Sequence, residues 1–172
     1  MSSQAMRERF ASMAKEAEAQ GLHCMMFTIT LPNRFHPLRH GLPNFGHRWE
    51  TPRDGQLWLL KQWVKMRAVL ERVGERTHGL RLVEPHLDAT PHWVVLMFMT
   101  DNSGMYLRSL VERYMGHSGA QVKSGTLCGA VTSIHRAGEL LDQYEENKAW
   151  SEAWGIRLCS FFGLSDEVGA AK

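Results

Sequence analysis

An unbroken apolar run over residues 94–99 limits how this chain folds more than any other feature of the sequence. The run is short and follows a turn rich in Pro and Asp at 85–91, so it predicts a strand over 92–99 that is buried on both faces. A second strand is predicted over 79–84, directly before the turn, and the two strands form a hairpin. Because a strand with no face for water lies inside a sheet, we expect residues 92–99 to form the central strand.

The remaining apolar periodicities predict helices that pack on this sheet. Together they indicate an α+β fold with an antiparallel central sheet, a single domain over 1–165 and a frayed tail over 166–172. The predicted helices cover 4–20, 56–73, 105–115 and 139–154, the further strands cover 25–31 and 156–162, and residues 32–55 form a long ordered loop.

Composition excludes several classes of protein. A chain of 172 residues with 44% hydrophobic content is expected to be one globular domain, and a net charge of +2 gives no strong case for nucleic acid by itself. The three cysteines have no CxxC spacing, which favours unpaired thiols in a reducing cytosol. No apolar stretch predicts a signal peptide or a membrane span, so we expect a cytoplasmic protein without a membrane partner.

The predicted hairpin brings Glu84, His86 and His92 to one end of the sheet. Carboxylate and imidazole groups at one place are typical of a divalent-metal or phosphate site. A carboxylate at the end of a buried strand also needs a partner, and a histidine or an arginine supplies one without any metal. Both interpretations remain open from the residues alone.

Residues 84–94, with the sequence EPHLDATPHWV, closely resemble the EPHHDGTPHWH segment of the replication gene A initiators of tailed phages. The resemblance continues in the same order at 27–37, 51–68, 79–86 and 149–163. Those initiators are HUH endonucleases, named for a His-hydrophobe-His pair that binds a metal. The resemblance therefore implies an HUH (Rep-like) fold and the nuclease core of a longer initiator from a phage or mobile element.

Two departures from that family fall on its chemistry. The family holds a divalent ion with two histidines and a third polar ligand, and by position Glu84 and His92 match the third ligand and the first histidine. Val94 stands where the second histidine would be, and Leu87 replaces a histidine of the turn. The resemblance implies at most a vestigial site of Glu84, His86 and His92 with weak affinity for Mg²⁺ or Mn²⁺, and no cofactor is expected to be required.

The second departure concerns the nucleophile, which the family carries as tyrosines on a helix written roughly GYIAKYISKN. The segment that fits best is 129–136, where the tyrosine positions hold Ala130 and Ile134 and the lysine position holds Ser133. Tyr144 and Tyr114 are the remaining candidates for a nucleophile. The acidic neighbours of Tyr144 repel phosphate, so a solvated helix face is favoured there, and Tyr114 is favoured as an aromatic at the edge of the core.

Most of the excess positive charge lies within residues 34–72, where Phe35, Phe45 and Trp49 are interleaved with the cations. Cations beside stacking surfaces are typical of a nucleic-acid surface. A merely solvated loop, or a surface for an acidic protein partner, fits the same residues. The candidate DNA-binding residues are Arg34, His36, Arg39, Arg48, Arg53, Lys61 and Lys65.

Three functions follow from these observations. The leading hypothesis is a catalytically degenerate initiator-like protein that binds an origin hairpin or single-stranded DNA without cleaving it. The second is a protein-binding inhibitor of host defence or of a rival element's replication. The third is an active metal-dependent single-strand nickase with a rebuilt site, and the losses at Val94, Ala130 and Ile134 weigh against enzymatic activity.

Overall fold

A computed structural model of the chain describes residues 1–163, so the predicted tail at 166–172 and the end of the predicted domain lie outside the described residues. The helices are α1 (Ser3–Ala19), α2 (Pro52–Arg72), α3 (Asp101–Tyr114), α4 (Gly129–Asp142) and α5 (Lys148–Trp154). The strands are β1 (His23–Thr30), β2 (Leu38–Arg39), β3 (Leu42–Pro43), β4 (His78–Pro85), β5 (Pro91–Met99), β6 (Gln121–Leu127) and β7 (Cys159–Phe162).

Five of these strands form one antiparallel sheet in the order β6-β1-β5-β4-β7, with β5 at its centre. The predicted hairpin is therefore confirmed, and so is the central position of residues 92–99. In the register of the hairpin Glu84 lies opposite His92, and Leu82 lies opposite Val94. These four residues lie on the same face of the sheet because paired residues share a face.

Helices cover both faces of the sheet, which is why the central strand needs no polar side. Trp93, Val95 and Met97 pack with the apolar residues of α2 and α3. Val94 and Leu96 point the other way and pack with α1 and α4. The predicted fold class, an antiparallel central sheet with helices packed on it, is confirmed.

Two helices begin earlier than their apolar periodicity predicts, because their N-caps lie upstream of the first buried residue. Thr51 and Asp54 form a reciprocal capping box, so α2 begins at Pro52 and not at residue 56. Thr100 accepts a hydrogen bond from the amide of Ser103, so α3 begins at Asp101 and not at 105. The loop before α2 is shorter than predicted and contains the small β2–β3 hairpin.

The predicted helix over 139–154 is wrong. The chain forms α4 to Asp142, a run of turns over 143–147, and then α5. Leu140 and Leu141 of α4 pack on one face of the sheet, whereas Trp150 of α5 packs with the core on the other face. One straight helix cannot serve both faces, so the chain turns between them.

Two further elements lie where the sequence pattern is weak. β6 is an edge strand whose residues are exposed or half-buried, so it carries no apolar run. α4 has no side-chain cap of its own, and the Glu18 carboxylate of α1 accepts the hydrogen bond from the amide of Ala130 at 3.0 Å. The last strand begins at Cys159 and not at 156.

The cysteines are unpaired in the structure. Burial raises the pKa of Cys24 and of Cys159 to about 12, so both thiols stay protonated. Within residues 1–163 no helix has the length and apolarity that a membrane crossing requires.

Candidate functional site

The residues predicted to share one end of the sheet do lie together at the β4–β5 hairpin. His92 Nε2 lies 3.2 Å from Glu84 Oε2, so the buried-strand carboxylate has a histidine partner. The ring of His86 lies 4.4 Å from that of His92 between centroids, and the ring of His36 lies 5.5 Å from that of His86. We call Glu84, His86, His92 and His36 the histidine cluster.

His36 joins the preceding loop to this hairpin. Its Nδ1 lies 3.0 Å from Asp88 Oδ2, and its Nε2 lies 3.2 Å from the carbonyl oxygen of Leu31. Both ring nitrogens therefore meet protein acceptors. The side chain of His36 is half-buried and holds the loop against the hairpin, and its predicted contact with DNA stays a prediction.

The hairpin turn is itself well braced. The Asp88 carboxylate accepts a hydrogen bond from the amide of Thr90 at 3.0 Å, and the indole of Trp150 donates to the carbonyl of Ala89 at 3.0 Å. Ala89 has φ of 66°, a conformation that favours glycine. The turn thus holds its shape through hydrogen bonds from three segments of the chain.

Burial lowers the pKa of His86 to about 4. The electrostatic interactions with His92 and His36 lower this pKa further, whereas those with Asp88 and Glu84 raise it. The ring is therefore neutral at neutral pH. His86 Nε2 and His92 Nδ1 are buried without a hydrogen-bond partner among the described residues. Orphaned ring nitrogens are what a metal ion or a water would satisfy.

The geometry nevertheless does not fit a metal site built from three protein ligands. Within residues 1–163 no group of three or more His, Cys, Asp or Glu side chains is arranged so that it could hold a metal ion. Glu84 and His92 pair with each other, and His86 contacts His92 only through its ring. Their assignment as vestigial ligands for Mg²⁺ or Mn²⁺ stays a prediction.

The positions that align with the family's missing groups lie in or against one apolar cluster. Val94 lies on the same sheet face as Glu84 and His92 and is 3% exposed. It belongs to one apolar cluster with Ala130 of α4, and Ile134 of α4 packs against that cluster. Ser133 is fully buried and donates to the carbonyl of Ala130 at 3.0 Å. We call Val94, Ala130 and Ile134 the aliphatic triad.

The two candidate tyrosines lie in different surroundings. Tyr144 packs at the edge of the apolar cluster that contains Val94, and the Lys148 ammonium lies 5.5 Å from its ring centroid. Tyr114 packs with the core on the opposite face of the sheet. The sheet therefore separates Tyr114 from the histidine cluster.

The loop before α2 is ordered at its base and open at its tip. The side-chain amide of Asn44 donates to the carbonyls of Asn33 and His36, at 2.7 Å each. His40 and Gly41 have φ of 52° and 76°, as in the type I′ turn of a two-residue hairpin. At the tip, Phe45 is 101% and Trp49 90% exposed.

The predicted basic residues separate into four groups. Arg39 and Arg48 are exposed on the loop with Phe45 and Trp49, and we call these four residues the stacking loop. Arg34 lies 4.6 Å above the ring of Phe35 and pairs with Glu50 at 3.5 Å. Lys61 and Lys65 are exposed on α2, whereas Arg53 lines a separate cavity with Arg81 and Arg157.

Sequence reasoning missed that cavity. The sequence contains one indication of a polar site there, which is Arg81, a charged residue between the buried Leu80 and Leu82 of β4. A charge inside a buried strand needs a partner for the same reason as Glu84 does. The contribution of Arg157 had no local signal, because it depends on where the chain returns after α5.

Backbone strain also concentrates at this end of the sheet. Among the described residues, the non-glycine residues with positive φ are His40, Trp49 and Ala89. All of them lie in the loop or the hairpin turn. Such conformations cost of order 1–3 kcal/mol each and cluster at functional sites, so they support this end of the sheet as the candidate site.

The fold and this site define an α+β protein whose central antiparallel strand carries a histidine-bearing hairpin, with a basic, aromatic loop beside it. The family model of the bacteriophage replication gene A protein (GPA) matches residues 3–150, and the chain belongs to that family. No solved structure matches the chain.

Individual relatives agree with the family assignment. The chain is 31% identical over 114 residues to the replication gene A protein of Escherichia phage P2, which is 60% of this chain and 15% of that protein. It is 25% identical over 192 residues to the replication protein of Haemophilus phage HP1, which is 92% of this chain and 24% of that protein. A probable replication endonuclease from a prophage-like region of Salmonella typhimurium is 33% identical over 99 residues, which is 57% of this chain and 12% of that protein. The chain thus spans less than a quarter of these relatives.

Proposed function

We propose that this chain is a catalytically degenerate relative of the HUH endonucleases, which binds an origin hairpin or single-stranded DNA without cleaving it. The observation that carries the proposal is the aliphatic triad of Val94, Ala130 and Ile134. Strand cleavage of the type that the family resemblance implies needs a metal that polarises the phosphate and a phenol that attacks it. At the aligned positions this chain has aliphatic side chains that pack in one apolar cluster, and an aliphatic side chain does neither task.

The stacking loop supplies the binding half of the proposal. Phe45 and Trp49 expose nearly their whole side chains, and Arg39 and Arg48 lie beside them. Aromatic rings need unstacked bases, so single strands or hairpin loops are favoured over duplex DNA. Because the net charge is only +2, binding depends on this local group and not on the field of the whole protein.

Salt-dependent binding of a labelled single-stranded oligonucleotide tests this proposal. The double variant Arg39→Ala/Arg48→Ala is expected to reduce the salt slope by about 0.7 for each phosphate that the variant no longer neutralises. The matched control is Arg72→Ala/Arg76→Ala, which removes the same charge from exposed positions at the opposite end of the sheet. Equal effects of both double variants would contradict the assignment of the loop.

One observation favours a protein partner as the second candidate. Leu42 is 69% and Leu87 109% exposed, so the loop and the hairpin turn present aliphatic as well as aromatic surface. With the neighbouring arginines, such a surface also suits an acidic protein. If the parent protein fails to bind single-stranded DNA at low salt, a protein-binding inhibitor becomes the favoured function.

A further inference from the structure

The small β2–β3 hairpin extends from the protein as an exposed ribbon, which we define as residues 38–43. Each of these residues is exposed, and Leu42 is 69% exposed although it is apolar. The two strands therefore bury no face against the core, and their pairing does not serve the packing of the domain. Because two strands alone are marginally stable in water, the ribbon needs support at both of its ends.

Asn44 closes the base of the ribbon. Its backbone amide donates to the carbonyl of Pro37 at 2.9 Å, and its side-chain amide donates to the carbonyls of Asn33 and His36 at 2.7 Å each. His36 also contacts Asp88 of the β4–β5 turn, with 3.0 Å between Nδ1 and Oδ2. These contacts fix the base of the ribbon relative to the central hairpin of the sheet.

The turn fixes the tip of the ribbon. His40 and Gly41 have φ of 52° and 76°, as a type I′ turn requires, and this turn matches the twist of the paired strands. Gly41 adopts this conformation without strain, whereas His40 adopts it at a cost. The side chains of Arg39 and His40 therefore lie at the tip of an element with a defined shape.

The ribbon lies in a segment without acidic residues. Residues 34–49 contain no Asp or Glu, whereas Arg39 lies within the ribbon and Arg48 shortly after it. Glu50 is the first carboxylate beyond this segment, and it lies 3.5 Å from Arg34 at the base of the loop. The charge of the ribbon is therefore complementary to a phosphate backbone.

The dimensions of the ribbon match the major groove of duplex DNA. Two extended residues and one turn residue in each arm reach about 10 Å, at about 3.4 Å per residue. The major groove is about 12 Å wide and about 8.5 Å deep and admits a two-stranded ribbon, whereas the minor groove is only about 6 Å wide. The tip of the ribbon is therefore long enough to reach the base edges of a duplex.

We propose that the ribbon enters the major groove of a duplex stem while Phe45 and Trp49 stack on the unpaired bases beside that stem. Phe45 lies two residues after the end of β3, so one continuous loop makes both contacts. The preferred ligand is then a DNA hairpin with unpaired bases next to its stem, and not a single strand alone. This inference rests on the proposed function, to which it adds the duplex contact.

Fluorescence anisotropy with three labelled probes tests the inference. They are a hairpin with a stem of about ten base pairs, or one helical turn, and an unpaired tail, then the tail alone, and a blunt duplex of the stem sequence. We expect the parent to bind the hairpin at least about fivefold more tightly than the tail, because the groove contact adds to the stacking contacts. The blunt duplex should bind more weakly than the hairpin, since it offers no unpaired base.

Two variants separate the ribbon from the stacking surfaces. His40→Glu places a carboxylate at the tip and Gly41→Val strains the turn, so each should reduce the ratio of hairpin affinity to tail affinity to about one. The controls are Gln20→Glu and Gly21→Val, in the turn after α1. Gly21 also has a positive φ, of 72°, and an added Cβ meets nothing within 4 Å there, as at Gly41. Both controls should keep the ratio of the parent, and a thermal melt checks that every variant is folded.

The outcomes distinguish failure of the inference from failure of the proposed function. The inference is overturned if the parent binds the tail or the blunt duplex as tightly as the hairpin, or if folded His40→Glu and Gly41→Val keep the ratio of the parent. Displacement of the hairpin by polyglutamate as readily as by unlabelled hairpin would overturn it too and would assign an acidic protein to the ribbon. A parent that binds neither hairpin nor tail would contradict the proposed function, and the inference with it.

Discussion

The stacking loop and the histidine cluster lie at the same end of the sheet, but their side chains are used in opposite ways. In the cluster, Glu84 pairs with His92, and His36 pairs with Asp88. In the loop, Phe45 and Trp49 face solvent almost completely. Two pairs of polar groups in the cluster are therefore engaged within the protein, whereas the loop leaves its aromatic rings available to a partner.

This difference shows which side chains at this end of the sheet serve the core and which serve the surface. Val94 lies on the same sheet face as Glu84 and His92, but it belongs to the apolar core. The loop instead keeps an unfavourable conformation, since Trp49 has φ of 62°. Strain of this kind persists only where the surrounding structure holds it, and the contact of His47 Nε2 with the carbonyl oxygen of Glu50, at 3.1 Å, spans Trp49.

The largest expected effect comes from removing the stacking surfaces. Phe45→Ala/Trp49→Ala should weaken binding of single-stranded DNA by at least tenfold, because each base–aromatic stack contributes about 1–3 kcal/mol. The melting temperature should stay unchanged, since both side chains are exposed. Fluorescence anisotropy with a labelled oligonucleotide measures the first quantity. Leu87→Ala, which also truncates an exposed apolar side chain, is the control, and an equal loss in that variant would contradict the comparison.

A smaller effect is expected where the two regions meet. Asp88→Ala removes the partner of His36 and the acceptor for the amide of Thr90. Unfolding free energy should fall by about 1–3 kcal/mol, because buried groups are left without partners. DNA affinity should fall as well, since the loop loses its anchor on the hairpin. Urea denaturation with the binding assay checks both, and full affinity in a destabilised Asp88→Ala would show that the regions are independent.

The histidine cluster should also make stability depend on pH. The pKa of His86 is about 4 in the folded protein, against an ordinary value of 6.5. Between these values the unfolded chain takes up a proton that the folded chain does not, so stability falls as the pH drops from 6.5 to 4. After allowance for the partial exposure of the ring, the loss is about 1–2 kcal/mol.

The variant His86→Asn should flatten this pH dependence, as urea denaturation at several pH values would show. A residual slope is expected from His78, because burial lowers its pKa too. An unchanged slope in His86→Asn would mean that the ring is solvated and that the cluster is looser than the structure describes.

The smallest effect is expected in the hairpin turn. Ala89→Gly relieves a positive φ of 66°, but glycine also loses more entropy on folding. The net stabilisation should be less than about 1 kcal/mol and should leave DNA affinity unchanged. Gly119, which already has a positive φ, offers the reverse control, since Gly119→Ala should destabilise the protein.

Sequence reasoning succeeded where a local pattern coincides with the tertiary structure. The apolar run of β5 and the turn before it predicted the hairpin, the central strand and the meeting of Glu84 with His92. The family resemblance supplied the positions of the aliphatic triad, and the structure adds that these residues lie in or against one apolar cluster. In these places the residues that define the structure are adjacent along the chain or alternate regularly.

Prediction failed where the determining contact is remote. The start of α4 depends on Glu18, more than a hundred residues earlier in the chain. The cavity depends on Arg53, Arg81 and Arg157, whose convergence no local spacing encodes. The contact of His36 with Asp88 also joins residues 52 positions apart, so no local spacing predicts it.

The most direct test of the account is a cleavage assay on single-stranded and supercoiled DNA with Mg²⁺ or Mn²⁺. Products and covalent protein–DNA adducts are resolved on a denaturing gel. We expect neither a nick nor an adduct, because Val94, Ala130 and Ile134 occupy the aligned positions of the metal ligand and the nucleophiles. A nick that the parent protein makes and that Tyr144→Phe or Tyr114→Phe abolishes would contradict the account and would establish a rebuilt nickase.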